Sequence, residues 1–346
     1  MKKFLKNKIK KVRGIEDEEQ RPARITNETV AEHREQILAG GRKFKYPIQY
    51  AKHRLVIVSV TIGLVTVALL ILLAWQQLYL AQNTSKFMYR LTQLVPVSVA
   101  SVDGESVRYS DFLKKYRSSI HALQQQNSIN LRTADGKRQA DYIKRTQLDT
   151  VEKDTYALKL ARENKVTVTG KEVNDFINKD LTSKSVSLEA YEKTVLSSFY
   201  DWTLADYREV VRAELLKRKV SFKIDATATT KVRAIQTRLT TEDFATVAKE
   251  VSEDVSTKEA GGDVGALPLD NQDSNGLIAA AKKLKPGQVS SAIMGTDGYY
   301  IIKLTSLTDA AVHYSQIKVD LTAFNKKFED VKKAGKIKEH IKVERD

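Results

Sequence analysis

Between Leu55 and Trp75 the chain runs for 21 residues without a charge, as LVIVSVTIGLVTVALLILLAW. At about 1.5 Å per residue a helix of this length spans roughly 30 Å, the thickness of a bilayer's hydrocarbon core. A helix satisfies its own backbone hydrogen bonds there, where water is absent. The pattern therefore predicts one membrane-spanning helix over 54–76, with Trp75 and Tyr79 at the interfacial level. Its length, and its start about 50 residues into the chain, separate it from a cleaved signal sequence.

Elsewhere the apolar positions are periodic. A short helix is predicted from Asn27, as N-cap, to Leu38, where Gly40-Gly41 would stop it. Over 77–96, Leu78, Leu80, Phe87, Met88, Leu91 and Leu94 predict one amphipathic helix ending at Pro96. Alternating valines before Asp103-Gly104 predict a strand and a tight turn. Phe112, Leu113, Tyr116, Ile120 and Leu123 then follow helical spacing, as do Ile143, Leu148, Val151, Leu158 and Ala161 in a long helix over 139–164. Helices are also predicted over 171–178, 188–197 and 204–219, the last with Leu204, Tyr207, Val211 and Leu215 on one face.

From Val220 the texture changes. A strand VSFKI, two helices over 230–239 and 243–254, the turn Gly261-Gly262-Asp263-Val264-Gly265 and a strand over 298–304 form one α+β unit. A further strand over 311–319, a helix over 324–335 and a short amphipathic end over 337–343 follow. The fold class expected is α+β. Its parts are a basic segment 1–53, the span 54–76, a juxtamembrane helix 77–96, a helical domain 97–219, the α+β domain 220–306 and an extension 307–346.

Charge sets the expected orientation. Residues 1–54 hold 15 Lys and Arg against 7 Asp and Glu, and the first basic residue after Trp75 is Lys86. The positive-inside rule puts the N-terminus in the cytoplasm and the later domains outside, as a single-pass protein of the cell membrane. More than half of the net +15 charge therefore lies beside the bilayer, where lipid headgroups are its expected partner rather than nucleic acid. Lys326, Lys327, Lys332, Lys333, Lys336 and Lys338 form a second cluster, read as a solvated helix face or as a contact for an anionic envelope polymer or membrane surface. The chain has no cysteine. That removes thiolate ligands and thiol nucleophiles, and no metal or cofactor motif is present, so neither is expected.

Five pieces in order carry a resemblance: Glu242-Asp243-Phe244-Ala245, Ser252-Glu253-Asp254, Gly261 to Gly265, Leu284-Lys285-Pro286-Gly287-Gln288, and Gly298-Tyr299-Tyr300-Ile301-Ile302-Lys303. Together they resemble a parvulin-type peptidyl-prolyl isomerase domain. Val99 to Glu105, the long helix with Leu158 and Ala161, and Val166 to Val173 resemble the N-terminal chaperone region of SurA/PrsA-type foldases. The resemblance implies a helical chaperone domain followed by a parvulin-like domain, acting on unfolded or secreted polypeptides.

It also implies a site. The parvulin site uses two histidines on adjacent strands, a nearby Cys or Asp, and a Met/Phe pocket for the proline ring. Asp254 matches the Cys/Asp position and Tyr300 the second histidine. The pocket positions fall on Asp273 and Leu277, and the first-strand histidine falls at Phe222 or Lys223. Val312-His313-Tyr314-Ser315-Gln316-Ile317 looks like a displaced copy of that first strand, which would bring His313 to Asp254. The catalytic candidates are thus Asp254, Tyr300 and His313, and the substrate-binding candidates Leu277, Asp273 and Phe222. Two functions stay open at this point: a membrane-anchored isomerase and chaperone for secreted proteins, or a catalytically degenerate holdase or envelope scaffold that keeps the fold for binding.

Overall fold

The computed structural model describes residues 26–45, 47–271 and 273–343. The chain divides between Trp75 and Gln76 into two compact units. In the first, α1 (Asn27–Lys45) and α2 (Pro47–Trp75) are helices. The expected stop at Gly40-Gly41 does not occur: α1 runs through both glycines. Gly costs only about 1 kcal/mol relative to Ala inside a helix, which is a penalty rather than a terminator. His53–Leu80 is long and apolar enough to cross a membrane.

The second unit opens with a π-helical turn, Gln76–Leu80, and then α3 (Lys86–Leu94), capped by the Ser85 hydroxyl. The sequence pattern predicts one helix here; the polar stretch between Leu80 and Lys86 interrupts it. The hairpin β1 (Ser98–Val102) and β2 (Glu105–Arg108) turns through Asp103 and Gly104, both with left-handed φ. Then come α4 (Tyr109–Gln125), α5 (Ala134–Glu163, capped by Thr133) and α6 (Gly170–Ser183, with a capping box from Thr169 and Glu172). The short helices α7 (Leu188–Tyr191) and α8 (Ser198–Tyr200) flank a π-helical stretch and lead to α9 (Leu204–Ile224).

The end of α9 corrects the reading of 220–224 as a strand. Valine and phenylalanine alternate there, but Leu216, Val220 and Ile224 lie four residues apart and pack against the same core. Helical spacing with the preceding turn overrides a five-residue alternation. Phe222 is therefore on a helix, edge-on to Tyr299 at 4.9 Å between ring centres.

Helices α10 (Ala226–Arg238) and α11 (Phe244–Val251) lead into β3 (Asp263–Pro268), α12 (Leu277–Ala281), β4 (Ile293–Met294), β5 (Gly298–Leu307) and β6 (Ala311–Asp320). The four strands form an antiparallel sheet in the order β3-β6-β5-β4. Alternation sends Ile301, Ile317 and Val319 to one face, against Phe244, Val247 and Ala248. Tyr300, Ile302, Leu304 and Tyr314 face the other way, against Leu277, Ile278 and Ala281.

The last segments return to the helical part. In α13 (Ala323–Lys333), Phe324 and Phe328 pack at 6.0 and 5.8 Å from Tyr156 of α5. Strand β7 (Ile337–Glu339) pairs antiparallel with β1, making a three-stranded sheet with β2. The four-stranded unit is thus inserted into the helical body, left at Asp225 and re-entered at Thr322. Asp225 is 1% exposed and its carboxylate accepts hydrogen bonds from the amides of Ala228, Thr322 and Ala323 at 2.8, 2.8 and 2.9 Å. One side chain ties both crossings.

Candidate functional site

The site forms where α11 ends against the middle of the sheet. Ser252 accepts the Lys318 amide on its hydroxyl, and the Glu253 amide donates to the Lys318 carbonyl, so the loop after α11 is stitched to β6. On the other side, Gly262 lies with φ +84° against the backbone of Gln316, too close for a Cβ, and its carbonyl accepts the Gln316 amide at 2.7 Å. The glycine-rich turn is thus needed to seat Gln316.

Asp254 projects from this loop onto β6. One carboxylate oxygen accepts from the Ser256 amide at 3.1 Å and hydroxyl at 2.6 Å. The other accepts from the Thr257 hydroxyl at 2.7 Å and the Gln316 side-chain amide at 2.5 Å. Burial pushes the carboxyl up, but the bonds from Ser256, Thr257 and Gln316 outweigh it and hold Asp254 below the usual range.

Tyr300 lies on β5 beside this strand. Its register partner is Lys318, and Gln316 pairs with the next same-face residue, Ile302, so Tyr300, Lys318 and Gln316 share one face. The Tyr300 ring is buried, with Gly295 so close that a side chain there would collide with it. Its hydroxyl donates to Asp297 at 2.8 Å and accepts from the Asn275 side chain at 3.3 Å. Burial first, then the bond to Asp297, pushes the phenol above its ordinary pKa. Lys318 completes the network, with its ammonium 2.6 Å from Asp297 and 2.9 Å from Asp320.

The expected residues fall in different places. Asp254 and Tyr300 are brought together on one side of the sheet. Leu277 is buried on that side, in the cluster beneath Tyr300. Asp273 does not present its carboxylate to a proline ring: it caps the turn into α12, accepting from the amides of Asn275, Gly276 and Ile278. It supports the site only through Asn275. Phe222 packs on Tyr299, whose side chain points to the opposite face.

The strand carrying His313 does enter the sheet, between β3 and β5, but His313 is not at Asp254. Three residues along β6 from Gln316, it alternates to the other face and its Nε2 lies 2.5 Å from Asp263. The residue missed is Gln316, on the strand beside that of Tyr300 and bonded to Asp254, the place the parvulin arrangement gives its first histidine. The signal lies in the sequence, since Gln316 stands three residues after His313 on the same strand. Asp297, Lys318 and Asn275 carried no such signal, because only the folded sheet assembles them. Among the described residues no cluster of His, Asp and Glu is placed to hold a metal ion.

A unit with a GGDVG turn and an Asp-Gln-Tyr constellation, inserted in a helical body, is the arrangement of a parvulin-like domain carried on a SurA-like body. Two family profiles match: a SurA-like N-terminal domain over residues 49–221 and a PPIC-type peptidyl-prolyl isomerase domain over 215–306. The chain belongs to the SurA/PrsA-type foldases and is a protein-folding factor of that family.

Among its relatives, the foldase protein PrsA of Caldanaerobacter subterraneus subsp. tengcongensis is 29% identical over 282 residues, covering 71% of this chain and 89% of that one. PrsA of Clostridium botulinum (strain Langeland) is 39% identical over 115 residues, covering 29% and 34%, and PrsA of Clostridium kluyveri (strain ATCC 8527) 32% over 160 residues, covering 46% and 38%. A crystal structure of the peptidylprolyl isomerase PrsA from Bacillus anthracis matches 51% of this chain and 82% of its own at 19% identity. The TM-score of that match is 0.19. The isomerase match ends at residue 306, before β6 begins, so the strand that holds Gln316 lies outside it.

Proposed function

We propose that this chain is a membrane-anchored, extracytoplasmic folding factor that works on secreted polypeptides mainly by holding them, with prolyl isomerisation weak or lost. The observation that carries this reading is that the polar groups of the isomerase site are already satisfied by the protein. Asp254 accepts four hydrogen bonds, and the Tyr300 hydroxyl is engaged both as donor and as acceptor. Isomerisation has a barrier of about 18–20 kcal/mol, and each ~1.4 kcal/mol removed gives a factor of ten. A group lowers that barrier by bonding the twisted amide. Here each candidate must first break an internal bond, which offsets the gain.

The helical body offers what holding requires. A groove of about 360 Å³ runs between α4, α5 and α9, with Val151, Leu158, Val210, Ala213 and Leu216 along it. Lys115, Asp154, Glu209 and Arg212 rim it. Mixed charges around an apolar floor suit extended segments of varied sequence. The charge bias around the span supports the outward orientation of this body, and the basic residues before the span suit contact with lipid headgroups.

The test is suppression of aggregation of a reduced, unfolded client by the full chain in lipid nanodiscs. Leu158 is half-exposed, so Leu158→Asp leaves the fold intact and is expected to abolish most of the suppression. Suppression unchanged by both Leu158→Asp and Val210→Asp would remove the groove from the account.

A further inference from the structure

Nine large hydrophobic residues are exposed among the described residues after Gln76, and four of them, Leu80, Phe87, Leu94 and Val95, fall within the first 20. Single exposed apolar side chains are ordinary. This concentration at the end of the candidate span and just beyond it is not explained by the fold, which buries Leu78, Met88 and Thr92 from the same stretch.

Helix α3 has two sides. Met88 and Thr92 face the core. Lys86, Phe87, Arg90 and Leu94 occupy an arc of about 100° on the other side, at ~100° per residue. Phe87 is 69% exposed and Leu94 83%. Lys86 reaches Asp201 at 3.0 Å, while Arg90 is exposed and makes no ion pair among the described residues. Aromatic and aliphatic side chains flanked by cations on one helical face are the composition of a helix lying in a bilayer interface.

Continuity says what covers this face. The turn Gln76–Leu80 is fixed within the second unit: the Tyr79 hydroxyl donates to the Ser98 carbonyl at 2.7 Å, and the Tyr109 hydroxyl to the Leu78 carbonyl at 2.6 Å. Leu80 ends the candidate span, and α3 starts six residues later, no more than roughly 20 Å along even an extended chain. The apolar run and α3 are therefore joined by a short stretch of chain rather than by a long tether.

We infer that α3 docks on the lipid surface adjoining the span, with Phe87 and Leu94 inserted among the acyl chains and Arg90 at the headgroup phosphates. The inference rests on the membrane-anchored reading above. It makes the folding factor an oriented one, with its helical body held in a fixed attitude to the membrane.

The cysteine-free chain permits a direct test. Single variants Phe87→Cys and Leu94→Cys of the full chain carry a nitroxide spin label, in nanodiscs of phosphatidylglycerol and phosphatidylcholine. Leu64→Cys serves as a reference inside the span, and Val255→Cys, at an 89% exposed residue, as a reference in water. Collision with oxygen is compared with collision with a water-soluble nickel chelate. The expected result is that labels at 87 and 94 favour oxygen as the label at 64 does. Labels at 87 and 94 as accessible to nickel as that at 255, with 64 still protected, would overturn the docking and leave the anchor standing. Nickel access at 64 would overturn the anchor and the docking with it.

Discussion

Asp225 is the residue on which the insertion hangs, and replacing it has a calculable consequence. Asp225→Ala removes the acceptor for three amides. Thr322 is exposed and water replaces its bond, but Ala228 is buried and Ala323 partly so. An unsatisfied buried donor costs about 1–3 kcal/mol, so the two together cost roughly 2–6 kcal/mol, a large share of a domain's usual ~5–15 kcal/mol. One carboxylate oxygen serves Ala228 and the other serves Thr322 and Ala323, so Asp225→Asn keeps one set and is expected to cost about half as much. The sign with pH follows from the carboxyl itself. Burial raises its pKa, but the bonds from Ala228, Ala323 and Thr322 outweigh that and leave it lowered in the folded state. Its contribution is present above the unfolded value of about 3.9 and is lost as pH falls through the folded one. The wild-type advantage over Asp225→Ala should therefore shrink in acid. Denaturant unfolding of the full chain in nanodiscs, with hydrogen exchange read by mass spectrometry, checks this. Exchange should rise at 226–229 and 322–326 more than in β5. A loss below about 1 kcal/mol, with unchanged protection at both crossings, would refute the reasoning.

Glu152 is 2% exposed, one of its oxygens has no hydrogen-bond partner among the described residues, and Arg145 is 3.9 Å from the other. Burial, with the charge of Glu339, pushes its carboxyl up to about 7. A raised carboxyl contributes stability that is present below about 4.5 and lost as pH rises through about 7, and a pH series of melting temperatures should show this slope vanish in Glu152→Gln. Gly262→Ala strains a φ of +84° and forces a Cβ into the Gln316 backbone, so it should lower the melting temperature and weaken amide protection in β6, where an ordinary surface substitution changes stability by less than about 0.5 kcal/mol. Tyr300→Phe removes the bonds to Asp297 and Asn275 but keeps the ring; it should cost about 1–2 kcal/mol in denaturant unfolding and leave aggregation suppression unchanged.

The sequence made the architecture legible where one face of an element is apolar. The long helix through Leu148 and Val151 and the strand at Ile301-Ile302 follow from spacing, and the apolar helix over 55–75 from its uncharged run. It was less legible where a few residues fit two periods. VSFKI alternates like a strand, but Val220 and Ile224 continue a helical stripe begun at Leu216. The polar stretch before Ala134 hid the start of α5, which the Thr133 cap defines. At the site, Asp254 and Tyr300 were found from short local motifs. Gln316 was not, because the identity of a site residue on an inserted strand depends on register, and a three-residue slide changes both its neighbour and its face. The capping role of Asp273 was not legible because sequence does not distinguish a carboxylate aimed at a ligand from one aimed at backbone amides.

The most direct test of the holding account is prolyl isomerisation itself. The full chain in nanodiscs is assayed on a proline tetrapeptide with a coupled protease, beside a client-aggregation measurement on the same sample. The account predicts aggregation suppressed while isomerisation stays at the uncatalysed rate. Acceleration that rises in proportion to the protein and is abolished by Asp254→Ala would contradict it.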